Sequence, residues 1–239
     1  MSIKRFLSIA SIATTFVFFG CSQEMADETE IASNQSALTL NANQVGTNNG
    51  YFYSYWKDGG TFTMTMPDAP AQYPGNFGIS WASGVYNGLA GKGWKPGTST
   101  RVINYNAGSW NPGSSNAYLT LYGWTTSPLV EYYVVDSWGS WRPPGGTPAG
   151  TVTTDGGVYD LYKVQRVNAP SIQGTQTFWQ YWSVRQTKRP TGVNSAITFN
   201  NHVKAWASKG WALGAHDEQI VTTEVFNPAS SGSSNITVW

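Results

Sequence analysis

From Gly50 to Trp239 apolar and polar positions alternate with a period of two rather than 3.6. Tyr51, Tyr53 and Tyr55 alternate with small or polar neighbours, as do Phe62, Met64 and Met66. Comparable runs lie at 117–124, 129–136, 158–164, 177–185 and 219–226. Turn signals separate them: Asp58-Gly59-Gly60, Pro74-Gly75-Asn76, Asn111-Pro112-Gly113 and Asp155-Gly156-Gly157. Many short strands with this punctuation predict an all-β sandwich or jelly roll. One stretch departs from the pattern: Asn200-Asn201 is placed to cap a short helix carrying Val203, Ala205, Trp206 and Ala207, stopped by Gly210. Two of the runs, 129–135 and 178–184, are apolar or aromatic on both faces, so either both faces are buried or one lines an aromatic groove.

Before the alternating region the chain reads differently. Lys4 and Arg5 precede an apolar run from Phe6 to Phe19, too short for a membrane anchor, so residues 1–20 are expected to be a signal peptide. Cys21, the sole cysteine, follows Gly20 in a setting that resembles a lipoprotein cleavage site, making it a candidate for acylation. On that reading the protein is exported and lipid-anchored at a bacterial cell surface; with ordinary cleavage nearby it is secreted. Residues 21–44 are polar, carry four acidic groups and are expected to form a disordered linker, leaving 45–239 as one folded domain.

Composition narrows the chemistry. Beyond residue 42 there are 12 basic against 9 acidic side chains, too mild an excess to argue for nucleic acid. All 12 Trp and 13 Tyr lie after residue 45, more than a core needs, and such rings suit sugar stacking. Two histidines, with no CxxC, HExxH or phosphate-binding loop, speak against metal, thiol or nucleotide chemistry. Carboxylates remain. The domain has three glutamates, and Glu131 and Glu224 stand in mid-strand among β-branched and aromatic residues, where burial penalises a charge. Two such groups facing one polysaccharide groove are the usual apparatus of glycoside hydrolysis, and their separation decides between retention and inversion.

The run from Pro128 to Gly139 (PLVEYYVVDSWG) resembles the nucleophile segment of glycoside hydrolase family 11 xylanases. Supporting stretches are 91–94 (GKGW), 122–124 (YGW), 168–174 (NAPSIQG), 180–186 (QYWSVRQ), 188–192 (KRPTG) and 231–235 (SGSSN), so the resemblance runs from about Val45 to Trp239. It implies a β-jelly roll of two packed, strongly twisted antiparallel sheets forming a deep cleft, with a single helix. It also implies a monomer that hydrolyses internal β-1,4 bonds of xylan with retention and needs no metal or cofactor. By that resemblance Glu131 is the nucleophile and Glu224 the acid/base. Trp56 stacks a distal xylose, Tyr122 and Tyr132 contact the nucleophile and sugar, and Arg166, Phe178 and Gln180 line the cleft. Pro170, Ser171 and Ile172 form the tip of a mobile thumb loop, and Asn87 stands beside the acid/base, implying a pH optimum near neutrality. His202 is expected to be structural, and so are Asp136 and Asp155. Alternation puts Tyr132 opposite Glu131, so its assignment requires a bulge or twist.

The chain departs from the family near Glu224, where residues 225–232 (VFNPASSG) are two residues longer than usual and lack a tyrosine hydroxyl. Glu218 stands at a position where relatives carry a cleft tyrosine. It either alters the pKa of Glu224 or a sugar subsite, or is solvated and inert. The alternative to an enzyme is a non-catalytic xylan- or glucan-binding surface protein on the same fold.

Overall fold

The computed structural model describes residues 37–68, 71–227 and 230–239. Cys21, the expected signal peptide and the first part of the expected linker lie outside the described residues. Fifteen strands and one helix follow in the order β1 (Ala37–Leu40), β2 (Gln44–Asn48), β3 (Tyr51–Lys57), β4 (Phe62–Pro67), β5 (Asn76–Trp81), β6 (Asn87–Trp94), β7 (Val102–Asn111) and β8 (Ala117–Thr126). The second half comprises β9 (Val130–Trp138), β10 (Gly150–Thr154), β11 (Gly157–Ser171), β12 (Gly174–Arg185), β13 (Asn194–Thr198), α1 (Phe199–Ala207), β14 (Ala215–Phe226) and β15 (Gly232–Val238). Within the expected linker, residues 37–40 form strand β1 and Gln44 begins β2. In β1, Leu38 and Leu40 alternate with Ala37 and Thr39, and the strand pairs with β4 to bury Leu40.

Two sheets form the fold. The smaller has the order β1-β4-β5-β15-β7-β13, and the larger β10-β11-β12-β9-β8-β14-β6-β3-β2. Pairing is antiparallel except between β9 and β12, which run parallel with Glu131 opposite Gln180; the all-antiparallel expectation is corrected at that one ladder. Parallel neighbours need a crossover, and residues 139–173, which include the β10–β11 hairpin, supply it. Turns follow their residues: Asn49-Gly50 and Asp155-Gly156 all have φ between 51° and 80°, the mirror-image geometry that two-residue hairpin loops require.

The two faces of the large sheet have different partners. Tyr53, Tyr55, Leu121, Val130, Tyr132, Val134 and Val221 face the small sheet and build the main core with Phe62, Met64, Phe77, Ile103 and Ile236. The opposite face carries a second cluster: Leu89, Tyr118, Tyr122, Trp124, Tyr133, Phe178, Trp182 and Ile220. A strand buried on both faces loses its polar alternation, which explains the continuous apolar runs at 129–135 and 178–184. The helix starts two residues earlier than expected. Asp155 accepts the Thr198 backbone N–H at 2.9 Å and its hydroxyl at 2.7 Å, fixing the chain at the entry to α1, while Asn201 turns to Thr154 Oγ1 at 2.8 Å. Phe199, His202 and Trp206 are its buried face. His202 sits edge-on to Tyr159, and burial lowers its pKa to about 4, so the ring packs as a neutral group, as its structural assignment requires.

Candidate active site

The second aromatic face opens into a cleft of about 1190 Å³ lined by both expected glutamates. Glu131, on β9 in the middle of the large sheet, is only 8% exposed. Its Oε1 accepts the Tyr122 hydroxyl at 2.8 Å and the Tyr133 hydroxyl at 3.0 Å, and its Oε2 accepts Gln180 Nε2 at 2.5 Å. Burial pushes its pKa up, opposed by those three bonds and by the Arg166 charge, all of which favour the ionised form. Tyr122 in turn accepts Trp124 Nε1, and Tyr133 stacks flat on Trp182 at 3.7 Å, so the donors are held by packing as well as by bonding.

Glu224 lies on β14, paired with Tyr118 of β8 and Leu89 of β6. It too is 8% exposed, but its surroundings differ: Oε2 has no partner among the described residues. Burial, then the charge of Glu131, pushes its pKa up to about 8, against the opposing effects of Arg166, Tyr133 and Asn87. The asymmetry sets the order of ionisation. Glu131 has three donors waiting for a negative charge and ionises first, leaving the proton on Glu224.

The other expected residues fall as follows. Trp56, Asn87, Tyr122, Arg166, Phe178 and Gln180 all line the cleft. So do Pro170, Ser171 and Ile172, at the tip of the long β11–β12 hairpin, where the Ser171 hydroxyl donates to Gly174 O at 2.7 Å and Ile172 is exposed. A register shift between Arg166 and Ala169, with Asn168 at φ 49°, interrupts the hairpin ladder midway. Tyr132 is the exception. No bulge occurs at it, and its ring is fully buried on the core side against Phe199 and Trp206. The residue that reaches Glu131 is Tyr133, two positions on and therefore on the same face, so strand alternation alone pointed to it.

Further aromatic residues complete the cleft. Trp182 and Tyr118 support the cleft floor, and exposed Trp141 stands at its edge. Phe226, two residues beyond Glu224 on the same face, lines the cleft and packs at 5.5 Å on exposed Tyr86. Glu218 also lines the cleft and is 6% exposed, so the reading of a solvated, inert side chain is corrected. Alternation back from Glu224 through Thr222 and Ile220 keeps it on the cleft face.

Comparison with known proteins agrees with this geometry. Residues 48–237 match the model for glycosyl hydrolases family 11. An endo-1,4-beta-xylanase from Phaedon cochleariae is 47% identical over 85% of this chain and 92% of its own length. Two Cellvibrio japonicus proteins, a bifunctional xylanase/xylan deacetylase and endo-1,4-beta-xylanase Xyn11B, are each 48% identical over 85% of this chain. The chain spans only 30% and 56% of the lengths of those two relatives. With matched sequence, two sheets and a cleft holding two unequal glutamates, the chain belongs to glycosyl hydrolases family 11.

Proposed function

We propose that the protein is an endo-1,4-β-xylanase acting with retention of configuration, with Glu131 as nucleophile and Glu224 as acid/base. The observation that carries this reading is the pair of buried carboxylates facing one long cleft, one saturated with donors and the other free to hold a proton. The Tyr133 hydroxyl donates to Glu131, and the Glu131 charge helps to raise the pKa of Glu224, so the two carboxylates act as a coupled pair. Retention requires carboxyl groups about 5–5.5 Å apart, against about 6.5–9.5 Å where an attacking water must fit between them.

The cycle follows from the charges. Ionised Glu131 attacks the anomeric carbon while Glu224 gives its proton to the departing glycosidic oxygen. Forming the glycosyl-enzyme ester removes the negative charge that helped to raise Glu224. Its pKa falls, and it takes a proton from the water that releases the sugar, regenerating both groups. Asn87, which lines the cleft and acts to lower the Glu224 pKa, adds no second titrating acid to this exchange. An open cleft with aromatic walls, Trp56 and Trp182 among them, fits an internal stretch of a sugar chain rather than its end.

The test is hydrolysis of soluble xylan followed by proton NMR. Short β-anomeric products are expected first, with α-anomers appearing only by mutarotation; initial α-product or no release would overturn the reading. The alternative of a groove that merely holds polymer has no observation in its favour, since both carboxylates are present and oriented into the cleft. We further propose export with acylation at Cys21, supported by the charged, apolar and small-residue order of residues 4–21. Mass spectrometry of the mature protein is then expected to find acyl chains on an N-terminal Cys21; an unmodified N-terminus elsewhere excludes the anchor.

A further inference from the structure

Glu218 is the third glutamate of the domain, and the cycle above does not use it. It sits near the start of β14, beside the register shift against β8 between His216 and Gln219. Its side chain lines the cleft, as do Ser54, Trp56, Lys95 and Asp217. The groups around it come from several elements. Ser54 of β3 also lines the cleft and acts to lower the Glu218 pKa. Lys95, just after β6, is engaged by Asp217 at 2.8 Å. Tyr122 and Trp124 belong to β8, and Glu131 to β9. Among the described residues no cation forms an ion pair with Glu218 itself.

Burial pushes the Glu218 carboxyl up to about 7, and the charges of Asp217 and Glu131 act in the same direction, against Lys95 and Ser54. Its charge therefore changes in the neutral range. Across β8 the register of Glu218 falls at Trp124, which is itself opposite Glu131, whereas Glu224 is opposite Tyr118 further along the same strand, so Glu218 stands on the Glu131 side of the cleft. A buried carboxylate without a cationic partner has acceptor positions to fill, and neighbouring hydroxyls of a sugar ring are donors of matching geometry. Bonds to the ionised form are stronger than those to the neutral acid.

We propose that Glu218 is a specificity-determining residue whose carboxylate accepts hydroxyl hydrogen bonds from the sugar chain on the Glu131 side of the cleft. This inference rests on the endo-xylanase reading. The test uses 4-nitrophenyl β-xylobioside, in which both sugars lie on that side and the leaving group is not a sugar. KM and kcat are measured for the wild type, Glu218→Gln and Glu218→Asp from pH 5.5 to 8.5, with thermal melts to show that each variant is folded. The ratio of KM in Glu218→Gln to that of the wild type is expected to rise from near one at low pH to about 10 at high pH. The expected change in kcat is less than about two-fold, with Glu218→Asp keeping part of the pH dependence. A ratio that stays flat across the range, or a loss confined to kcat, overturns the proposal. Failure of the wild type on this substrate and on xylan alike removes the endo-xylanase reading and the inference with it.

Discussion

Glu131→Gln is expected to lower xylan turnover by at least about 10⁴-fold while leaving the fold intact, because the amide keeps the shape but cannot form the glycosyl ester. The variant keeps a carbonyl oxygen for Tyr122 and Tyr133, so the cleft should still bind xylo-oligosaccharides. Glu224→Gln should cost about 10²–10⁴-fold on xylan, where the leaving oxygen needs a proton. On an aryl xylobioside with a good leaving group its first step should be largely spared, and azide should speed the second. The two variants also test the electrostatic coupling. With Glu131 neutral, the Glu224 pKa should fall from about 8, yet remain above the usual carboxylate range because burial is the larger cause. Carbon NMR of labelled glutamate reads this directly. Substantial turnover by Glu131→Gln, or an unmoved Glu224 titration, would sink the assigned roles.

The second large effect concerns stability. Asp136→Ala is expected to destabilise the protein by about 3–5 kcal/mol, lowering Tm by on the order of 10 °C. Asp136 lies near the end of β9 and is 1% exposed. Its Oδ2 accepts Arg189 Nε at 2.7 Å and the Tyr105 hydroxyl at 2.5 Å, its Oδ1 accepts the Tyr159 hydroxyl at 2.6 Å, and its carbonyl accepts the Arg189 N–H at 2.8 Å. One carboxylate thus ties β9 to β7, to β11 and to the segment before β13. Removing it strands a nearly buried guanidinium and two phenols together, so the loss exceeds that of a single bond. Asp136→Asn, which keeps the shape, should cost less. Thermal melts at constant pH give the comparison, and an Asp136→Ala loss below about 1 kcal/mol would show that the network is dispensable.

Strands with side chains in alternating surroundings were legible because burial is written into them. The 117–124 and 219–226 runs lie within observed strands and the 129–136 run does so from Val130 on, and two of them carry the glutamates. Strand β6 is harder to read, since Gly88, Gly91 and Gly93 give it no side-chain pattern. Their reason is tertiary: a Cβ on Gly91 would meet Val221 O at 2.1 Å, and one on Gly93 would meet Gln219 O at 2.2 Å. Strand β1 was hidden by the polar, acidic stretch before it, although its own four residues alternate. Tyr132 was assigned by likeness of neighbouring residues, whereas alternation favoured Tyr133, and geometry followed alternation. Glu218 was ambiguous for another reason. A carboxylate in the polar run His216-Asp217-Glu218 looks like surface in sequence, and only the fold shows that Asp217 pairs with Lys95 and leaves Glu218 inside the cleft.

The strand orders carry a consequence for how the molecule comes into being. Strand β14 lies between β8 and β6 in the large sheet, and β15 between β5 and β7 in the small one. Without residues 215–238 each sheet is two unconnected halves. A chain made from its N-terminus therefore holds its strands as separate fragments until those residues emerge, and the contacts that join the two halves of each sheet form only then. Long-range pairing of this kind folds slowly. Glu224 arrives with the strand that closes the large sheet, so a partly synthesised chain has neither a finished fold nor a pair of carboxylates. Assembly of the sheet and onset of catalysis are one event.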